Sequence, residues 1–202
     1  MCQQTVLAGN RALAPASADA YGHGMETVTF ETALGVFGLG WTGRGLARVL
    51  LPDTSQKAML ERLGRDGAVP GEPTRLISSL MNRIEDYAEG QEIGFDDVPL
   101  DLGSVPSFHR KAYERLVQVP WGQTITYGDL ARELGDVGLS RAVGQAMGAN
   151  PIPLVIPCHR VLASNGRPGG FSAPGGTVTK VKMLALEGVS VGAPAGQMSF
   201  GF

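Results

Sequence analysis

This 202-residue chain has two cysteines and three histidines, few of the thiols that staple small folds or the soft and imidazole side chains that hold zinc. Cys2 and Cys158 cannot build a disulfide framework or a four-cysteine zinc site, and nothing in the spacing of His23 and His109 supports a zinc site shared with them. No apolar run approaches membrane-spanning length, and no internal repeat is visible. Met1 to Gly24 is rich in Ala, Gly, Ser and Gln. It lacks the basic start and continuous apolar stretch of a secretory signal, so it reads as a disordered leader. What remains is an ordinary globular composition, expected in a reducing cytoplasm where a free thiol persists.

Strong charge is missing too. A net charge of −2 speaks against a nucleic-acid partner until it is divided along the chain. Residues 1–104 hold 8 Lys/Arg against 14 Asp/Glu, whereas residues 105–182 hold 9 against 4. An acidic front joined to a basic back concentrates any phosphate-attracting field in the second half. Binding through so small an excess is expected to be moderate and salt-sensitive.

Thr27 to Leu51 alternates and is studded with glycine, which predicts two or three antiparallel strands joined by tight turns. Ser55–Leu63 and Pro73–Tyr87 have helical apolar spacing, the first ending at Gly64. Gln91–Ser104, polar and acidic, reads as a connection. From Ser107 the chain turns helical, with Phe108, Ala112, Leu116 and Val119 on one face and Pro120 as the stop. Thr126 followed by Asp129 matches a capping pattern that opens a helix through Leu134. After the turn Gly135–Gly138, Ser140 is expected to cap a second helix through Met147 or Gly148. The expected fold is therefore α/β: a small α/β domain over 25–100, then a mostly α-helical domain over 101–190 with a winged-helix-like helix-turn-helix, and a tail over 191–202. Ala142, Gly144, Ala146, Gly148 and Ala149 leave the second helix nearly bare, as close packing or close approach to another molecule requires.

The chemistry concentrates in Ile152-Pro153-Leu154-Val155-Ile156-Pro157-Cys158-His159-Arg160-Val161. Cysteine is a strong nucleophile only as thiolate, and a free thiol is mostly protonated at neutral pH. An adjacent imidazole and guanidinium would favour the thiolate and could relay its proton. The β-branched run predicts a buried, strand-like lead-in that fixes where the sulfur points. By itself a Cys-His pair is compatible with a small buried core cysteine, which is what most free cysteines are.

The surroundings decide the matter. Pro157-Cys158-His159-Arg160-Val161, preceded by Asn150-Pro151 and followed by Gly169-Gly170-Phe171-Ser172, resembles the active-site signature of the O6-alkylguanine-DNA alkyltransferases. The resemblance runs back through Pro120-Trp121-Gly122-Gln123-Thr124-Ile125-Thr126-Tyr127-Gly128 and Ser140-Arg141-Ala142-Val143-Gly144, and forward to Leu184-Ala185-Leu186-Glu187-Gly188. It covers residues 95 to 190, about half the chain.

The resemblance implies a DNA repair protein that moves the alkyl group of O6-alkylguanine irreversibly onto its own cysteine, once per molecule. It implies no metal and no dissociable cofactor, and a monomer that grips double-stranded DNA through the minor groove. Cys158 would be the acceptor, and His159 would take its proton through a bound water while Glu187 orients the imidazole. Tyr127 would donate to guanine N3 as the base leaves. Arg141 would fill the gap left by the extruded nucleotide, with Ala142 and Gly144 letting the helix approach. Asn150 would tie the turn, and backbone groups near Cys158 and Val161, together with Ser172, would read the base edge. Arg160 would be structural or phosphate-facing.

Two departures stand out. Ala173-Pro174 separates Ser172 from Gly175-Gly176, where the family runs straight from its serine into the glycines. The chain also lacks the cysteine-rich zinc module of the fused adaptive-response members, so phosphotriester sensing does not carry over. Two rival readings stay open on sequence alone: a Cys-His thiol hydrolase, and a non-catalytic damage-binding protein using the same helix pair.

Overall fold

The computed structural model describes residues 24–53 and 55–191. The leader and the tail fall outside these except for Gly24 and Val191, as do Cys2 and His23. Three antiparallel strands, β1 (Glu26–Thr32), β2 (Gly35–Thr42) and β3 (Gly45–Leu50), form a meander as the glycine-punctuated alternation predicts. Gly45 turns at φ +135°, and a Cβ there would lie 2.3 Å from the Pro99 carbonyl oxygen, so only glycine fits. A two-residue strand not foreseen in the sequence, β4 (Val69–Pro70), pairs parallel with β1 and completes the order β3-β2-β1-β4.

Helix α1 (Gln56–Leu63) starts on a Ser55 hydroxyl that accepts from the Ala58 amide. Helix α2 (Arg75–Ala88) buries Ile77, Leu80, Ile84 and Tyr87, and it packs on β1. The segment 91–104 is more than a connection. Pro99 accepts from Leu46, Asp101 donates its amide back to Leu46, and its carboxylate holds Thr42 and Arg44. One apolar core then runs without a break from Phe30 in β1 to Met183 near the end of the described chain.

The second half contains α3 (Ser107–Leu116), α4 (Tyr127–Glu133), α5 (Ser140–Gly148) and α6 (Gly176–Leu186). Thr126 caps α4 as expected, its hydroxyl accepting from the Asp129 amide. Ser140 does not cap α5. Its hydroxyl donates to the Val137 carbonyl, while Asp136 accepts from Gly138 and so holds the short 3-10 turn that leads into the helix. A cap must precede its helix, and Ser140 is already inside. Ala146 is buried against the core, so the bare face of α5 is narrower than the composition implied.

Two short strands carry the placement of the site. β5 (Ile125–Thr126) pairs parallel with β6 (Val161–Leu162), Ile125 opposite Val161. Tyr127 directly follows the first strand, and the Cys158–Arg160 turn directly precedes the second.

Candidate active site

The lead-in to Cys158 is a buried turn, not the strand-like segment expected. Leu154 takes φ +77°, a left-handed conformation costly for a branched side chain. Asn150 holds the turn closed: its Nδ2 donates to the Ile156 carbonyl at 2.8 Å, and its Oδ1 accepts from the Ile152 amide at 3.0 Å. Pro157 then forms an inverse γ-turn, with Cys158 N donating to the Ile156 carbonyl at 2.8 Å.

Cys158 is 4% exposed. It lies in the wall of a cavity of about 430 Å³ lined with Tyr127, Gly144, Met147, Gly148, Gly170, Phe171 and Ser172. Ser172 and Gly144 therefore reach the cavity, and Val161 is fully buried in β6. Arg141 is exposed at the start of α5, and Ala142 is half-buried beside it.

Behind the thiol lies a closed polar network. His159 Nε2 sits 2.7 Å from Glu187 Oε1. Arg160 grips the same carboxylate through Nε at 2.8 Å and Nη2 at 3.0 Å, and gives Nη1 to the Val119 carbonyl. Tyr87, reaching over from α2, donates its hydroxyl to Glu187 at 3.3 Å. Burial favours a protonated Glu187, but hydrogen bonds from His159 and Arg160 win and hold its pKa at about 2. Burial also pushes the His159 imidazole below its ordinary pKa against the pull of Glu187. A neutral ring facing a carboxylate carries its proton on Nε2, so Nδ1 is left with a lone pair. Nδ1 is buried and has no hydrogen-bond partner among the described residues, which makes it the ring position able to accept a proton.

This arrangement corrects the electrostatic reading of the sequence. Arg160 is spent on Glu187 and is neither phosphate-facing nor beside the sulfur as a free charge, and His159 is neutral. Burial pushes the Cys158 thiol up, while the Asn150 side chain and the Lys180 cation pull it part of the way back. The thiol therefore rests protonated and needs a base when it reacts.

Lys180 and Tyr87 escaped the sequence reading. Lys180 is fully buried, donates to the Val161 carbonyl, and sits 5.8 Å and 5.9 Å from the ring centres of Tyr127 and Phe171. Burial brings its pKa down to about 8. No local pattern marks a lysine as interior, and it had been counted with the outward cations. With Arg160 and Lys180 inside, the outward field of the second half is weaker than its formal charge. Burial, and secondarily Cys158, raises the pKa of Tyr127, so its phenol stays a proton donor.

The α/β molecule thus sets a buried thiol, the one cysteine among the described residues, in the wall of a cavity, with a carboxylate–imidazole pair nearby in the fold. Residues 107–189 match the family model described as 6-O-methylguanine DNA methyltransferase, DNA binding domain. A methylated-DNA–protein-cysteine methyltransferase of Metallosphaera sedula is 41% identical over 116 residues, 57% of this chain and 70% of that protein. One of Shigella flexneri is 40% identical over 109 residues, 54% of this chain and 62% of that protein. The crystal structure of Mycobacterium tuberculosis OGT in complex with DNA superposes with a TM-score of 0.66 at 29% identity, over 81% of this chain and 93% of that one. The chain belongs to the 6-O-methylguanine DNA methyltransferase family.

Proposed function

We propose that the protein repairs DNA by taking the alkyl group of O6-alkylguanine onto Cys158, one turnover per molecule. The observation that carries this reading is the position of the sulfur, in the wall of the cavity it shares with Tyr127 and in front of the His159–Glu187–Arg160 network. His159 Nδ1 receives the thiol proton, directly or through a water. The thiolate attacks the alkyl carbon in line, the C–S bond forms as the C–O6 bond breaks, and the electron pair passes into the purine. Tyr127 donates toward the base as that charge develops. Incubating the protein with a duplex containing O6-methylguanine is expected to add one methyl group per molecule by intact mass. Continued turnover on an ester or amide would support a hydrolase instead.

The helices α4 and α5, with the 3-10 turn between them, serve as the helix-turn-helix, and α5 enters the minor groove. Packing within the chain gives no reason for its glycines to be small, because a Cβ at Gly144 or Gly148 would meet nothing within 4 Å. That absence favours close approach by another molecule. Residues 25–100 form the amino-terminal domain and 101–190 the DNA-binding and acceptor domain. A working thiol also suits a reducing cytoplasm, and no helix among the described residues is long and apolar enough to cross a membrane.

If Arg141 holds the gap left by the extruded nucleotide, Arg141→Ala slows transfer from duplex DNA far more than from free O6-alkylguanine base, which needs no extrusion. Arg141→Lys keeps the charge without the planar guanidinium. Single-turnover rates at saturating protein decide, and equal losses on both substrates would remove the extrusion role. Tyr127→Phe is expected to lower the transfer rate up to about ten-fold, the worth of one hydrogen bond, with little change in duplex affinity. An unchanged rate would leave Tyr127 as a packing residue.

A further inference from the structure

Beside the base-sized cavity lies a larger open cleft of about 510 Å³, which shares Cys158, Met147, Gly148, Phe171 and Ser172 with it. Its opposite wall comes from the acidic half of the chain. There Arg48 of β3, Arg62 of α1 and Arg65 just after that helix line the cleft, and no carboxylate does among the described residues. Arg48 donates to the carbonyls of Arg62 and Leu63 at the end of α1, which fixes it in the wall. Arg62 pairs with Asp53 at 3.3 Å. Arg65 is exposed and has no ion-pair partner among the described residues. The nearby acid Glu61 faces Lys57 on its own helix. Arg65 thus offers a guanidinium with no ion-pair partner among the described residues, in the half whose formal charge is negative.

We infer that this cleft holds a backbone phosphate of the strand carrying the damaged nucleotide, so that the amino-terminal half clamps DNA opposite α5. The inference rests on the repair reading. A base drawn into the cavity at Cys158 brings its own sugar and phosphodiester to the mouth of that cavity, and the arginine-lined cleft opens there. Guanidinium is suited to such a group because its planar fork meets two phosphate oxygens at once. Ala173 and Pro174 line the cleft as well.

The test is the salt dependence of equilibrium binding to an O6-methylguanine duplex, measured in a Cys158→Ser background so that the lesion persists. Losing one phosphate contact lowers the slope of log K against log salt by about 0.9. Arg65→Ala is expected to show that loss, and Arg65→Lys to retain the slope. Arg75→Ala removes an equal charge at an exposed position outside the cleft and is expected to leave the slope unchanged. An Arg65→Ala slope equal to that of the parent, or a change matched by Arg75→Ala, would overturn the clamp. Transfer by the unsubstituted chain from the same duplex reports the repair reading separately. If transfer occurs and the slope does not move, only the clamp fails. If no transfer occurs, both fail.

Discussion

Cys158→Ser is expected to abolish alkyl transfer while leaving binding to the damaged duplex intact. Serine differs from cysteine by one atom, so the turn held by Asn150 and the cavity beside Tyr127 should survive. The chemistry should not survive. A serine hydroxyl is far weaker as a nucleophile, and a neutral imidazole cannot hold it ionised as it can a thiol. The surface assigned to DNA lies on α5 and does not depend on the sulfur. Intact mass after incubation with the methylated duplex should show one added methyl group on the parent and none on the variant, with equal duplex affinities. Peptide mapping that placed the methyl group on Cys2 would remove Cys158 as acceptor. So would more than one equivalent transferred per protein, since a thioether does not give its alkyl group up again.

The second large effect is expected at Glu187. Its carboxylate is buried under His159, Arg160 and Tyr87, and removing one partner of a buried ion pair costs about 3–5 kcal/mol because the other charge is left unpaired. Glu187→Gln should therefore unfold at clearly lower denaturant concentration at pH 7. The sign of the pH dependence follows from the carboxyl pKa, about 2 in the folded chain against an ordinary 4.5. A lowered pKa contributes stability above pH 4.5 that is lost as pH falls through about 2, so parent and variant should converge in acid. The rate should fall as well. A glutamine amide can donate to Nε2, which moves the ring proton to Nδ1 and blocks the position that accepts the thiol proton. Losing one charge-assisted hydrogen bond costs at least about ten-fold, and inverting a carboxylate-held histidine has cost about 10⁴-fold elsewhere. Denaturation at pH 7 and at pH 3, with single-turnover transfer on the folded variant, checks both halves. A variant as stable as the parent at pH 7 would show that Arg160 has another counter-charge.

The strands of the meander were legible because alternation and glycine turns are local signals, and β1 to β3 fall where Thr27–Leu51 placed them. Cys158, His159 and Glu187 stood out for a different reason: they stand in ordered motifs. Tyr87 and Lys180 were not. Tyr87 reads as one more apolar position on an amphipathic helix, yet its hydroxyl reaches a carboxylate 100 residues away. Lys180 reads as a surface cation and is fully buried.

The sequence by itself determined the residue types and local geometry: which thiol stands in the Pro-Cys-His motif, which hydroxyl caps α4, where glycine must turn. Charge sign and burial belong to the tertiary structure, because both depend on neighbours distant along the chain. Folding paired Arg160 with Glu187 and so removed it from the surface field. It left His159 Nδ1 without a partner among the described residues, and it set three arginines of the acidic half in one cleft with Cys158. The β5–β6 pairing, two residues on each side, brought Tyr127 to Cys158. A hydrogen-bonded register between segments 36 residues apart has no signature in either segment alone, because it exists only once the chain has closed on itself.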